Sequence, residues 1–291
     1  MSAHGKAPVD LGTSNRPAHA PSGLRQLVRT GLPPVVKSRI AAMLCHPLVG
    51  RALAAYCRDR IRSGDLSIRT IHPSISPRTK AQIFWGIYES AEIRFVQRHL
   101  RIGLDVLEVG SSLGVVSSHA CSRLAAAARM VCVEANPELI ATIEENLTTN
   151  CSGRAFSVLN RALDYENSGG STRLRLSGDT SESQLGRLSR SADRAASVAR
   201  EVEVPSTTIA DLVRETGLRD YALISDVEGA EAGFVFADRT ELDGCRQIII
   251  ELHDTEHAGR RLTWQDLRAE LVGRFGFRVV DGFGCVQVLE R

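Results

Sequence analysis

No apolar stretch of this 291-residue chain reaches the ~20 residues needed to cross a bilayer. The opening residues lack the apolar core of a signal peptide. No transmembrane segment and no secretory leader are therefore expected. Aromatic residues make up only 5% of the chain and the net charge is only +2. That excludes the aromatic platforms and basic grooves of RNA readers, and no nucleic-acid partner is expected. The seven cysteines are odd in number and form no C-x-x-C pair. Neither a disulfide framework nor a zinc site follows, and a reducing cytoplasm is the expected location. Lysine is confined to Lys6, Lys37 and Lys80 among abundant arginine, a bias of coding composition more than of mechanism. What is present is an ordinary globular balance, 43% hydrophobic and 24% charged, in a chain long enough to bury a full core.

Residues 1–22 are rich in Pro, Gly, Ser, Ala and His without periodicity, so a disordered tail is expected. Residues 23–81 carry apolar positions at helical spacing against Lys37, Arg39, Arg51, Arg58, Arg60 and Arg62. They are predicted to form a helical extension, a cap or dimerisation element, with the helical pattern running to about Ser63. A homodimer and contact of this basic face with a membrane surface are left open. From 82 to 291 strands alternate with helices. Strands are predicted at 104–109, 129–134, 154–160, 221–226 and 246–252, with helices near 114–127, 137–148, 207–216, 229–238 and 263–274. Such alternation means an α/β fold with a parallel sheet covered on both faces. The chain closes in a hairpin about Asp281, Gly282, Phe283 and Gly284, which makes the last strand antiparallel. Added strands are predicted at 171–176 and 200–206, flanking a mobile loop at 180–199.

In sheets of this kind ligands bind beyond the carboxyl ends of the central strands. There the sequence reads DVLEVGSSLG, residues 105–114. Gly110 and Gly114 suit a tight strand-to-helix turn, and the turn through Ser111 and Ser112 is expected to present backbone amides. A dinucleotide fingerprint would need glycine where Ser112 stands, and Glu108 would repel a pyrophosphate. A ligand with an ammonium and a sulfonium would instead be attracted. Glu134, ending the second strand beside Ala135 and Asn136, is placed to accept hydrogen bonds from a ribose. S-adenosylmethionine has all three groups.

These residues carry a family resemblance. EVGSSLG (108–114), VEANP (133–137), NRAL (160–163), DVEGAE (226–231) and Ile250-Glu251 resemble, in order and spacing, the motifs of FkbM-type class I methyltransferases over about residues 84–289. The resemblance implies a seven-stranded Rossmann-like sheet, S-adenosylmethionine as donor, and O-methylation of a hydroxyl, often on a sugar or glycosylated natural product. It also implies Ala162 near the adenine and Glu89 facing the methionine end of the donor. In one respect the chain departs from the pattern. Family members commonly carry lysine two places before the aspartate of D-x-E-G, where this chain has Ile224.

An alcohol needs help to lose its proton near pH 7, from a general base or a metal. Asp226, Glu228, Glu251 and His253 stand at the carboxyl ends of what should be neighbouring strands. Residues two apart in an extended segment face the same way, so these pairs should converge on one mouth. His253, neutral and steadied by Glu251 or Asp226, is the expected base, with Asp226 and Glu228 beside it. Asp226, Glu228 and Glu251 are the alternative, as ligands of Mg²⁺. His119 is expected to be structural, and His72 is a weaker acceptor-site candidate. The turn after Asp226 lacks the Pro-Pro-aromatic sequence that amino-group methylation generally uses. The expected activity is O-methyl transfer to a small hydroxylated acceptor, a saccharide or glycoconjugate. A nicotinamide-dependent oxidoreductase and a non-catalytic cofactor-binding protein are the alternatives.

Overall fold

The computed structural model describes residues 34–177, 187–188 and 198–291. The predicted tail at 1–22 lies outside these residues, as does nearly all of the predicted loop at 180–199.

The first described elements are helices α1 (Pro34–Leu44) and α2 (Pro47–Cys57). Pro47 stands in the first turn of α2, where its missing N–H goes unneeded, and His46 caps it by accepting from the Leu48 N–H at 3.3 Å. The helical pattern does not continue to Ser63 as predicted. Arg58 and Asp59 both take positive φ, 51° and 54°, which closes α2. The chain then turns into a hairpin of β1 (Arg60–Ser63) and β2 (Leu66–Arg69). Helices α3 (Pro77–Trp85) and α4 (Ser90–His99) follow. The extension is thus part helix and part hairpin. Its Ile61, Ile68 and Ile75 belong to the same apolar cluster as the central sheet.

The remaining elements alternate. In chain order they are β3 (Asp105–Val109), α5 (Val115–Cys121), β4 (Arg129–Glu134), α6 (Ile140–Asn150), β5 (Ala155–Asn160), β6 (Ala162–Leu163), β7 (Ser171–Ser177), β8 (Arg187–Leu188) and β9 (Val198–Thr207). After these come α7 (Ile209–Thr216), β10 (Tyr221–Ser225), α8 (Glu231–Val235), β11 (Cys245–Glu251), β12 (Thr255–His257), β13 (Arg260–Leu262), α9 (Trp264–Gly273), β14 (Arg278–Phe283) and β15 (Val286–Glu290). The main sheet has seven strands in the order β14-β15-β11-β10-β3-β4-β5. The five from β11 to β5 are parallel to their neighbours, and β15 runs antiparallel to β11 and to β14. The closing turn falls at Gly284 and Cys285, so Asp281 to Phe283 belong to β14 rather than to the turn.

Alternate residues of each central strand face opposite layers, as a period of two requires. Val106, Met130, Cys132, Ala222 and Ile249 pack with Phe95, Val115 and Ile143 on one face. Leu107, Val131, Val133, Leu223 and Ile248 pack with Leu212, Phe234, Leu267 and Leu271 on the other. The predicted added strands form a smaller sheet, β6-β9-β7-β8, beside the carboxyl end of β4. The order in which strands are laid down reverses between β3 and β10, which lie side by side and parallel. Beyond their ends is the place where such folds bind ligands.

Candidate active site

Gly110 begins the turn after β3 with φ 86°, a conformation that favours glycine. A Cβ there would fall 1.7 Å from the carbonyl oxygen of Asp226, and the Asp226 N–H donates to Val109 O at 3.1 Å. The turn's amides are less open than the sequence suggests. Those of Gly110 and Ser111 donate to Val133 O at 2.9 and 3.2 Å, and that of Gly114 to Ser111 O at 2.7 Å. The Ser112 N–H donates to Glu134 Oε2 at 2.7 Å, with Ser112 itself at φ 48°. A turn committed in this way is no phosphate cradle.

Glu134 ends β4, buried, and its Oε1 accepts from the Asn136 N–H at 2.7 Å. Two amides therefore fix the carboxylate, leaving its outer lone pairs for a ligand. Burial pushes its pKa up to about 7 against the pull of those amides. Glu108 is also buried, and its Oε2 accepts from the Ser117 hydroxyl on α5. Burial raises it to about 7 as well, opposed by hydrogen bonds from Ser117, Ser111 and Cys132. In this state Glu108 is tied to the start of α5 rather than open to the turn. Asn136 is fully buried, and its Nδ2 has no partner. Ala135 packs against Ala162 and the small sheet. Glu89 precedes α4 at φ 44°. Burial, then the charges of Asp226, Glu92 and Glu108, drive its carboxyl well above the usual range, against the hydrogen bond from Tyr88. Tyr88 in turn shares a hydrogen bond of 3.0 Å with Ser112.

The acceptor-side residues do converge. Nε2 of His253 lies 3.9 Å from Asp226 Oδ1, 3.8 Å from Glu228 Oε2 and 3.9 Å from Glu251 Oε1. None of these is a hydrogen bond. The partner that holds the ring is Glu231, whose Oε1 meets Nδ1 at 2.9 Å. This corrects the expectation that Glu251 or Asp226 would steady it. Glu231, the first residue of α8, is fully buried, and its Oε1 also accepts from the Val227 N–H at 3.2 Å. The sequence marked Glu231 only as part of DVEGAE; the further signal was its place on the first turn of α8, three residues after Glu228. Burial works against a charged imidazole, but the Glu231 hydrogen bond and the Glu231, Asp226 and Glu228 charges prevail, raising His253 to about 9. The shift favours the imidazolium over the neutral ring expected. Asp226 is driven well above the usual carboxylate range by burial and by the Glu251 and Glu228 charges.

A second residue missed in the sequence is Glu92 on α4. Burial and a hydrogen bond with Glu251 raise it to about 8. The proposed Mg²⁺ set of Asp226, Glu228 and Glu251 is not the group whose ligand atoms lie closest together. Among the described residues that group is Asp226, Glu231 and His253. His119 is held by Ser63 Oγ at 2.9 Å and Gln97 Nε2 at 3.4 Å. His72 accepts from the Ser74 N–H at 3.2 Å. Ile224 is buried in β10 opposite Glu108.

Residues 108–279, more than half of the chain, match the family described as Methyltransferase FkbM domain. No curated protein matches the chain. Similar solved structures include a tRNA (uracil-54, C5)-methyltransferase of Pyrococcus abyssi in complex with S-adenosyl-L-homocysteine. It is 14% identical, with 79% of this chain and 43% of that one covered and a TM-score of 0.38. A putative O-methyltransferase from Klebsiella pneumoniae is 12% identical, with 70% and 76% covered and a TM-score of 0.36. A protein of the NADB-Rossmann superfamily from Streptococcus agalactiae is 10% identical, with 69% and 67% covered and a TM-score of 0.37. Likenesses of this degree do not bear on what the chain binds or methylates. The family match does decide its class: the chain belongs to the FkbM methyltransferase family, and a nicotinamide-dependent oxidoreductase is set aside.

Proposed function

We propose that the protein transfers the methyl group of S-adenosylmethionine to a hydroxyl of a small acceptor, a saccharide or glycoconjugate. The observation that carries this reading is the junction of Gly110 with Asp226, 1.7 Å between a built Cβ and the carbonyl oxygen. It brings the donor turn against the acidic, imidazole-bearing cluster. In-line displacement requires that adjacency, because oxygen, methyl carbon and sulfur must be aligned near contact.

On the donor side, Glu134 holds the ribose hydroxyls, fixed for that task by the Ser112 and Asn136 amides. The unpartnered Asn136 Nδ2 supplies a further donor, and Ala135 and Ala162 border the adenine. Arrival of the ammonium and sulfonium favours the ionised forms of Glu89 and Glu108, which burial disfavours in the free protein, with Ser111, Ser112 and Gly114 shaping the turn between them. On the acceptor side, His253, Asp226 and Glu228 receive the hydroxyl, whose proton stays within the cluster. An arriving sulfonium makes imidazolium less favourable, so donor binding itself lowers the affinity of His253 for its proton. A neutral, hydroxyl-rich acceptor suits a pocket that already holds a surplus of carboxylates. The seven unpaired cysteines suit a reducing cytoplasm.

The test is incubation with isotopically labelled S-adenosylmethionine and a panel of saccharides or a cell extract, with products identified by mass spectrometry. Label on a sugar oxygen is expected. Label on nitrogen or carbon, or no binding of S-adenosylmethionine by calorimetry, overturns the reading.

A further inference from the structure

Asp226, Glu231 and His253 come from three elements: the end of β10, the first turn of α8 and the loop after β11. Each turns one ligand atom to a common space, and those atoms lie within 4.8 Å of one another. We propose that these three residues hold a divalent first-row metal ion of the Mn²⁺ type.

The case rests on polar groups that nothing in the protein satisfies. Glu231 is fully buried, and its Oε1 is occupied by Val227 and His253. Its Oε2 is shielded from solvent and has no hydrogen-bond partner. Asp226 Oδ1, 3.9 Å from the imidazole Nε2, is in the same state. Two shielded carboxylate oxygens without hydrogen-bond donors, on residues whose ligand atoms cluster with one imidazole, are a costly arrangement that a cation would relieve. Charge points the same way. Among the described residues no lysine or arginine forms an ion pair with Asp226, Glu228, Glu231 or Glu251, and His253 is the one basic side chain facing all of them.

The donor set selects the ion. Two carboxylates alone would suit Mg²⁺ or Ca²⁺, whereas an imidazole nitrogen beside them favours a first-row transition ion. Glu228 and Glu251 then lie outside the ligand set, placed to accept hydrogen bonds from metal-bound water or substrate.

The task of the ion rests on the O-methyltransferase reading above. It would bind the acceptor hydroxyl and lower its pKa. The O–H bond breaks, with its proton passing to Glu228 or Glu251. The oxygen forms a bond to the methyl carbon. The carbon–sulfur bond breaks, and its electron pair stays on sulfur, leaving a neutral thioether.

The full-length protein, freed of metal with EDTA and dialysed, is titrated with MnCl₂ while the electron paramagnetic resonance signal of free Mn²⁺ is followed. One ion per chain is expected, with affinity at least about 10-fold weaker in Asp226→Asn and in His253→Gln. Bound Mn²⁺ should also raise the melting temperature of the wild type, a readout needing no variant. A full free-ion signal with wild-type protein, or unchanged binding in a folded variant, overturns the proposal. Calorimetry of S-adenosylmethionine on the same EDTA-treated protein separates the two readings. Donor binding without Mn²⁺ binding removes only the metal site, and Mn²⁺ binding without donor binding removes only the methyltransferase cofactor.

Discussion

Gly110 and the carbonyl of Asp226 share a space too small for a methyl group: a Cβ on Gly110 would lie 1.7 Å from that oxygen. At φ 86° a side chain would also be strained. Gly110→Ala should therefore destabilise the protein by about 2–4 kcal/mol, the sum of overpacking and a left-handed backbone. Urea denaturation measures it. A midpoint equal to wild type would mean that the two strand ends are further apart than described.

Glu134→Ala should weaken S-adenosylmethionine by about 1.5–3 kcal/mol, the usual worth of a hydrogen bond to a charged group. The loss should appear in the dissociation constant and not in the rate at saturating donor, because Glu134 meets the ribose rather than the reacting atoms. An unchanged dissociation constant would remove Glu134 from the donor site.

Glu108 supplies a pH test. Its folded pKa of about 7 stands above the ordinary 4.5. Its stabilising contribution is thus complete below about pH 4.5 and is lost as pH rises through about 7. Glu108→Gln has no such loss. Between pH 4.5 and 8 its stability relative to wild type should climb by roughly 2–3 kcal/mol. A pH-independent difference between the two proteins would show that the carboxylate is not raised.

His253→Ala should not weaken donor binding, since it removes a positive charge that opposes the sulfonium, and should lower turnover by roughly 10²–10⁴-fold, whether the ring takes the proton or holds an ion. Stopped assays with labelled donor report the rate, and calorimetry the affinity. Turnover near wild type would return His253 to a bystander role.

Asn146 on α6 is fully buried and bonded three ways. It accepts from the Arg69 N–H at 2.7 Å and donates to Arg69 O at 3.3 Å and Leu113 O at 2.9 Å. Asn146→Ala should cost about 2–4 kcal/mol, since it leaves shielded backbone groups without partners. Deletion through Arg69 should give insoluble protein, because it also uncovers the core beneath Ile61 and Ile68. A soluble, active chain beginning near Gln82 would refute this.

The central sheet was legible because its strands are buried on both faces, so YALIS, and DVLEV apart from Asp105 and Glu108, read as short apolar runs. Convergence of Asp226, Glu228, Glu251 and His253 was legible too, since strand ends in a parallel sheet share one edge. The hairpin at 60–69 was not. RIRS and LSIR lack an apolar run, and what makes them strands is two left-handed residues and clamps far along the chain. Nor was Glu231 legible as the partner of His253, 22 residues away, because a carboxylate on the first turn of a helix already has a local reason to be there. The engagement of the turn's amides is hidden in the sequence for a similar reason: Val133 and Glu134, which accept from them, belong to the next strand.

The clamps on that hairpin also set an order in time. Ser67 waits for Asn150, 83 residues downstream, and Arg69 for Asn146, 77 downstream. At roughly 5–20 residues per second, a ribosome delivers those partners about 4–16 s after the hairpin has been made. Throughout that interval Ile61 and Ile68 have only their chain neighbours Cys57, Ile75, Ile83 and Phe84 as cover, and the strand edge is open to neighbouring chains. The segment made early is thus among those locked late.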